Sequence, residues 1–126
     1  PSLWPVKGWV TSEFGRRISP FGGERELHRG IDIATKFGQA IQAPAAGVVA
    51  EVTYQNDVGR TILIDHGHGL STSYAHLSKA VVRPGAPVRK ADRIGYVGNT
   101  GRSTGSHLHY SVMLNGVAVN PRKYLN

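Results

Sequence analysis

Six histidines are the residues of this chain whose type and spacing most clearly indicate chemistry. His107 and His109 flank Leu108 in a segment where polar and apolar residues alternate, as in a half-buried β-strand. Because residues two apart on a strand point to the same face, both imidazoles are expected on one side, with Leu108 toward the core. His28 and Asp32 lie four positions apart, so in an extended segment they also share a face. The spacing therefore predicts two pairs of candidate functional side chains.

Two imidazoles with one carboxylate are a donor set typical of catalytic zinc sites, in which three protein ligands leave a fourth position for water. The chain contains no cysteine, so thiolate ligands, thiol nucleophiles and disulfides are excluded. Either pair alone is a weak signal, because a histidine pair on a strand also arises by chance and then has no function. The two pairs together, in a chain with further histidines, predict one zinc ion per chain.

The general base for such a site is predicted to be a histidine. Metallopeptidases with a helical H-E-x-x-H motif use its glutamate as the base, but here no glutamate adjoins either pair. Imidazole titrates near neutral pH and suits the role. The best placed are His107, two residues from the proposed ligand His109, and His76, on a strand that could lie next to that of His107. His66 and His68 flank Gly67, and we interpret them as turn residues.

Short strands are the elements that must position these residues. The chain has 16 Gly and 7 Pro, and no segment shows a sustained helical period of apolar residues. The pattern predicts an all-β, antiparallel fold. Strands are predicted over 47–54, 61–65, 70–77, 93–98, 107–114 and 117–119, with turns at 67–69, 84–85 and 115–116. The segments 20–27 and 99–106 are predicted loops, and Trp4, Trp9 and Phe14 are predicted core residues.

Composition limits the class of protein. With 126 residues, of which 40% are hydrophobic and 18% charged, the chain is predicted to form one folded domain over 1–126 and not a disordered segment. No apolar run is long enough for a transmembrane helix. The net charge of +7 favours polyanions such as nucleic acid, acidic lipid or an anionic cell wall. Because the basic residues are dispersed and follow no nucleic-acid-binding pattern, we expect no nucleic-acid partner.

The segments that contain the candidate ligands and bases match the motifs of a known family, in the same order along the chain. They read His28-Arg-Gly-Ile-Asp32-Ile-Ala, then Tyr74-Ala-His76-Leu-Ser78, then Gly98-Asn-Thr-Gly-Arg-Ser-Thr-Gly-Ser-His107-Leu-His109-Tyr110. Over nearly its whole length the chain resembles the lysostaphin-type (LytM-like) zinc peptidases. The resemblance implies a compact antiparallel β-sheet domain with its zinc site in a groove, which loops at 20–27, 55–60 and 99–106 would flank.

The resemblance also implies an activity and a role for each residue. Members of the family are zinc endopeptidases that hydrolyse amide bonds in the peptide stems or cross-links of bacterial peptidoglycan, with zinc-bound water as the nucleophile. Carried over to this sequence, His28, Asp32 and His109 are the zinc ligands, and His76 and His107 are the catalytic histidines. We expect peptidoglycan peptides as partners, a monomer, and a location in the bacterial envelope: periplasm, cell surface or outside the cell.

Two positions depart from the family pattern. Members usually carry proline where Ser106 stands, and often glutamate where Ser111 follows the aromatic residue. Neither position is a ligand, so the departures do not exclude activity. The alternative function is a non-catalytic domain that binds peptidoglycan or activates another hydrolase, as in relatives that have lost metal ligands. The intact set of five residues favours the enzyme.

Overall fold

The strands of the main sheet are between 2 and 11 residues long and follow one another closely along the chain. The computed structural model describes residues 3–18, 25–101 and 105–125. The strands are β1 Trp9–Ser12, β2 Gly15–Ile18, β3 Arg25–His28, β4 Ile31–Ala34, β5 Ala40–Gln42, β6 Gly47–Gln55, β7 Gly59–Gly67, β8 Leu70–Ala80, β9 Pro87–Val88, β10 Arg93–Val97, β11 His107–Leu114 and β12 Val117–Val119. A 3₁₀ helix, Pro121–Tyr124, follows, and its first turn is capped by the Asn120 side chain, which accepts a hydrogen bond from Arg122 N.

Antiparallel pairing joins these strands into a ten-stranded sheet and a separate β2–β3 ribbon. The main path of the large sheet runs β1-β4-β11-β8-β7-β6-β9, with β10 paired to β5 and β8, and β12 paired to β11. The predicted all-β, antiparallel fold is confirmed. No helix within the described part of the chain is long and apolar enough to cross a membrane.

One face of β4 and β11 forms part of the core. Ile31 and Ile33 on β4, and Leu108, Tyr110 and Val112 on β11, are all 1% exposed or less. Burying each such side chain is worth roughly 1.5–3 kcal/mol, so this alternation fixes which face of each strand turns inward. The residues between them, which include the candidate ligands, therefore lie on the opposite face.

Two hairpins define the register of the central strands. His68 and Gly69 (φ 54° and 79°) join β7 to β8, and Asn115 and Gly116 (φ 52° and 81°) join β11 to β12. Positive φ at both turn residues is the type I′ pattern that suits the twist of a two-residue hairpin. Both predicted turns are confirmed, as is the turn at Gly85, whose φ is 88°.

Two predictions about the first part of the chain are wrong. Trp9 is not a core residue, because it is 72% exposed, whereas Trp4 and Phe14 do pack against the core. Within β1 it is Val10 that pairs with the buried Ile33, which turns Trp9 to the other face. The predicted loop 20–27 is a strand from Arg25 onward, since β3 pairs with β2; the part of that loop at 20–24 lies outside the described residues.

Candidate metal centre

A bend brings two of the candidate ligands together. His28 ends β3 and Asp32 lies on β4, so the single extended segment expected from the sequence is two strands joined at Gly30. A Cβ on Gly30 would lie 2.4 Å from Tyr110 O and 2.6 Å from Ser111 Oγ, so only glycine fits where the bend crosses β11. Across this bend, His28 Nε2 lies 3.3 Å from Asp32 Oδ1.

The pairing of β4 with β11 brings in the third candidate ligand. His109 is the direct cross-strand partner of Asp32, and His107 that of Ala34. Paired residues of an antiparallel sheet share a face, so His109 Nδ1 lies 2.8 Å from Asp32 Oδ1 and His107 Nε2 lies 3.8 Å from the same oxygen. The expectation that both imidazoles share one face, with Leu108 buried on the other, is confirmed.

The three donor atoms are spaced as a metal ion requires. His28 Nε2, Asp32 Oδ1 and His109 Nδ1 are separated by 2.8 to 3.3 Å, with the two nitrogens 3.2 Å apart. Tetrahedral ligands at zinc distances are about 3.3 Å from one another. Among residues 3–18, 25–101 and 105–125, these side chains form the one group of three metal-binding types whose donor atoms all lie within 4.8 Å of one another. The donor set therefore fits zinc.

The Asp32 carboxyl is charged at neutral pH. Its burial opposes ionisation, but hydrogen bonds with His109 and His28 outweigh that effect and hold the pKa of Asp32 well below its usual range. A carboxylate anion between two imidazoles provides the negative charge that a divalent cation needs from its ligands.

A main-chain carbonyl orients His28. His28 Nδ1 donates to Glu13 O at 2.8 Å, and because a carbonyl only accepts, Nε2 is the ring nitrogen that faces Asp32. Nε2 can donate to the carboxylate, or bind a metal through its lone pair once that proton is lost. The Glu13 side chain is in turn held by Arg122, with Nη2 and Nε lying 2.9 and 3.2 Å from the two carboxylate oxygens. Sequence reasoning missed Glu13, because a contact made through the backbone has no side-chain signature.

His76 and His107 lie beside the donor set and face each other. Their ring centroids are 4.9 Å apart, and the His76 ring is 6.4 Å from that of His109. His76 Nδ1 donates to Thr100 O at 2.6 Å and His107 Nδ1 donates to Gly105 O at 2.8 Å. Since both partners are carbonyls, each ring carries its proton on Nδ1 and its lone pair on Nε2. Both imidazoles therefore have the tautomer of a base that acts through Nε2.

His76 is held in an unusual backbone conformation. Its φ is 65°, in the left-handed region that is costly for a residue with a side chain, and its N–H donates to Val58 O at 2.8 Å. Burial, more than the charge of nearby His107, lowers the pKa of His76 below its ordinary value, so this imidazole is neutral at neutral pH. Its conformation and protonation state are thus set by the surrounding loops.

Thr100 connects the two loops next to His76, which are 55–60 and 99–106. Besides accepting from His76, it donates through Oγ1 to Leu77 O at 2.7 Å, and Oγ1 accepts from Arg60 N at 3.1 Å. A Cβ on Gly101 would lie 2.3 Å from Gly59 N, so the two loops approach at van der Waals contact. The predicted loops at 55–60 and 99–106 therefore do flank the site, although residues 102–104 of the second lie outside the described part.

The remaining two histidines have different positions. His68 is in the β7–β8 turn, as interpreted from the sequence. His66 is a strand residue of β7, so its interpretation as a turn residue is wrong. Its Nδ1 donates to Ala46 O at 2.8 Å and its Nε2 accepts from Thr72 Oγ1 at 2.7 Å. Both ring nitrogens of His66 are used by the protein itself, away from the donor set.

An antiparallel sheet that presents two histidines and an aspartate at metal-binding distances, beside a second pair of histidines, has the arrangement of a metal-dependent hydrolase. A family model described as Peptidase family M23 matches residues 26–121. The match covers more than half of the chain, and the chain belongs to this family.

Known proteins similar to this chain include enzymes and an activator. The present chain is 43% identical over 112 residues to "DD-carboxypeptidase/endopeptidase Mpg" of Neisseria meningitidis serogroup B, and the match covers 89% of this chain and 26% of that protein. It is 35% identical over 122 residues to "Murein hydrolase activator NlpD" of Salmonella dublin, covering 96% of this chain and 32% of that protein. The chain thus spans roughly a quarter to a third of the length of these relatives.

Solved structures agree with the family assignment. A zinc-containing peptidase from Vibrio cholerae superposes with a TM-score of 0.87 at 33% identity, covering 93% of this chain and 37% of that one. The catalytic domain of the antimicrobial peptidase lysostaphin from Staphylococcus simulans superposes with a TM-score of 0.83 at 29% identity, covering 94% and 91%. The resemblance to lysostaphin-type peptidases is confirmed.

Proposed function

We propose that this chain is one peptidase domain that uses zinc to hydrolyse amide bonds in the peptide stems or cross-links of bacterial peptidoglycan. The observation that carries the proposal is the adjacency of two histidine sets. Three donor atoms 2.8 to 3.3 Å apart lie next to two imidazoles whose ring centroids are 4.9 Å apart. A metal site alone serves many functions, but a metal site beside groups able to transfer protons is suited to hydrolysis.

In this proposal His28, Asp32 and His109 hold one zinc ion. When bound, zinc acts as a Lewis acid and lowers the pKa of a coordinated water. The Glu13 carbonyl keeps the lone pair of His28 toward the site, and the ionised Asp32 balances the charge of the cation. The chain thereby supplies three protein ligands, the number typical of catalytic rather than structural zinc.

His76 and His107 handle the protons of the reaction. Because burial lowers the pKa of His76, its Nε2 is unprotonated at neutral pH and can accept a proton. His107, whose ring faces that of His76, also has its lone pair on Nε2, since its Nδ1 donates to Gly105 O. The two imidazoles share acceptance of a proton and its delivery to the leaving amine, each held in its tautomer by a carbonyl.

The substrate class comes from the named relative. The similarity to a DD-carboxypeptidase/endopeptidase supports peptidoglycan peptides as substrate and the bacterial envelope as location. The net charge of +7 favours approach to an anionic wall. The alternative is a domain that activates another hydrolase, as the name of the Salmonella dublin relative suggests. The complete set of ligands and adjacent histidines favours catalysis over activation.

The test joins metal content with product analysis. Protein purified without chelator is expected to contain about one equivalent of zinc. Incubated with purified peptidoglycan of two cross-link types, D-alanyl and glycyl, it is expected to release new peptide termini from at least one, as measured by mass spectrometry. Chelation should abolish the release and added zinc should restore it. Zinc-bound protein that cuts neither substrate but accelerates a separate wall hydrolase would overturn the proposal in favour of the activator.

A further inference from the structure

The two candidate histidine ligands are oriented by different kinds of partner. His28 donates to a main-chain carbonyl, which depends on no particular side chain. On the far side of the site, His109 Nε2 lies 3.2 Å from the hydroxyl of Ser111. A ligand histidine ordinarily donates its outer N–H to a partner that fixes the ring and its tautomer. For His109 this partner is a single side chain, at one of the two positions that depart from the family pattern.

The strand geometry makes Ser111 a fixed partner. It is two residues beyond His109 on β11, so both side chains lie on the same face, while Tyr110 between them is buried in the core. Ser111 is only 9% exposed, and the bend at Gly30 covers it so closely that a Cβ there would lie 2.6 Å from its Oγ. Shielding from water strengthens the hydrogen bond and prevents solvent from replacing the hydroxyl.

The direction of the hydrogen bond decides what Ser111 does. A serine hydroxyl can donate or accept, whereas a carboxylate only accepts. Without a metal, His109 Nδ1 donates to the carboxylate of Asp32, which only accepts. A metal on Nδ1 would take the place of that proton, so Nε2 would carry the ring proton and the Ser111 hydroxyl would accept from it. We propose that Ser111 is a positioning residue that holds His109 in the Nδ1-binding tautomer and so sets the affinity of the site for zinc. The proposal rests on the proposed function, in that His109 is taken as a zinc ligand.

The experiment compares the zinc dissociation constant of three variants with that of the wild-type protein, by competition with a chromophoric chelator in the absence of substrate. Ser111→Ala removes the hydroxyl and is expected to weaken zinc binding by roughly 10–100-fold. Ser111→Thr keeps a hydroxyl and is expected to restore most of the affinity. Ser106→Ala is the matched control, because the Ser106 hydroxyl donates to Thr35 O at 2.9 Å and, within the described residues, forms no hydrogen bond with a candidate ligand. The zinc affinity of this variant should equal that of the wild type.

A spectroscopic readout separates positioning from general stability. In the zinc-loaded wild type, proton–nitrogen correlation spectra should place the imidazole proton of His109 on Nε2 and show it protected from exchange with water. In Ser111→Ala this proton should exchange faster, while the corresponding signal of His28 stays unchanged. Wild-type zinc affinity in Ser111→Ala, or an equal loss in Ser106→Ala, would overturn the inference. A wild-type protein that binds no zinc would instead overturn the proposed function.

Discussion

His66 and His76 lie on neighbouring strands and differ in how much of each ring the protein uses. His66 on β7 has both nitrogens occupied, by Ala46 O at 2.8 Å and Thr72 Oγ1 at 2.7 Å. His76 on β8 has Nδ1 occupied by Thr100 O at 2.6 Å, and within the described residues Nε2 makes no hydrogen bond. A histidine saturated by its own protein has no site left for chemistry, whereas one held by a single nitrogen presents the other to substrate.

The surroundings of His66 extend the contrast. Thr72 Oγ1 also lies 2.5 Å from the hydroxyl of Tyr74, which is fully buried, so three side chains form one chain of hydrogen bonds that ends at a main-chain carbonyl. Such a network stabilises the sheet. The comparison therefore separates a histidine whose ring is used within the fold from His76, which keeps one ring nitrogen for the proton transfer that we propose.

The largest expected effect is the loss of the metal site. Asp32→Ala removes the carboxylate whose Oδ1 lies 2.8 Å from His109 Nδ1 and 3.3 Å from His28 Nε2. Zinc content and hydrolysis should fall together to background, as measured by elemental analysis and product release. The control is Asp65→Ala, which removes a carboxylate whose one hydrogen bond within the described residues is accepted from Gly67 N. Zinc retention in Asp32→Ala would show that the donor set is assigned wrongly.

The next effect tests the two histidines directly. His76→Ala should keep its zinc and lose turnover by about 100-fold or more, the range expected for a general acid–base group. His66→Ala should keep both zinc and turnover, because neither of its nitrogens faces the site. Measuring kcat and zinc content for both variants shows whether His76, and not His66, is needed for turnover. An equal loss of turnover in His66→Ala and His76→Ala would mean that the number of ring nitrogens already hydrogen-bonded does not tell a structural histidine from a catalytic one.

The pH dependence of turnover sharpens the assignment of His76. An unperturbed histidine has a pKa of about 6.5, and burial lowers that of His76. As a base it must be neutral, so kcat/KM should rise with pH along an acid limb whose midpoint lies below the ordinary histidine value, and should be flat above it. His66→Ala should leave this limb in place. A limb with a midpoint above the ordinary value would contradict the role of His76 as the neutral base.

The smallest effect concerns stability. Thr72→Val removes the hydroxyl that forms hydrogen bonds with His66 Nε2 and with the Tyr74 hydroxyl. Both groups lose a buried partner, and the free energy of unfolding should fall by about 1–3 kcal/mol. Denaturant unfolding measures this cost, and Thr53→Val on the exposed face of β6 is the control, expected to change stability little. Zinc content should be unaffected in both. Unchanged stability in Thr72→Val would mean that the network does not support the fold.

Local pattern was sufficient to predict much of the fold. Alternation along β11 predicted that its two histidines share a face with Leu108 opposite, because side chains on a strand alternate whatever the strand pairs with. The dipeptide Asn115-Gly116 predicted a hairpin because few residues adopt positive φ at both turn positions. Trp9 was predicted wrongly because β1 is an edge strand, where an aromatic residue does not reveal which face is covered.

What only the tertiary structure decided is the chemical state of each histidine. His28 depends on Glu13 O, 15 residues away, His76 on Thr100 O, 24 residues away, and His109 on Asp32, 77 residues away. Residue type and spacing therefore predicted which groups are candidates for binding a metal or transferring a proton. Which ring nitrogen carries the proton, and whether the other is already used, follows from hydrogen-bond partners that fold in from distant segments, and no local pattern encodes them.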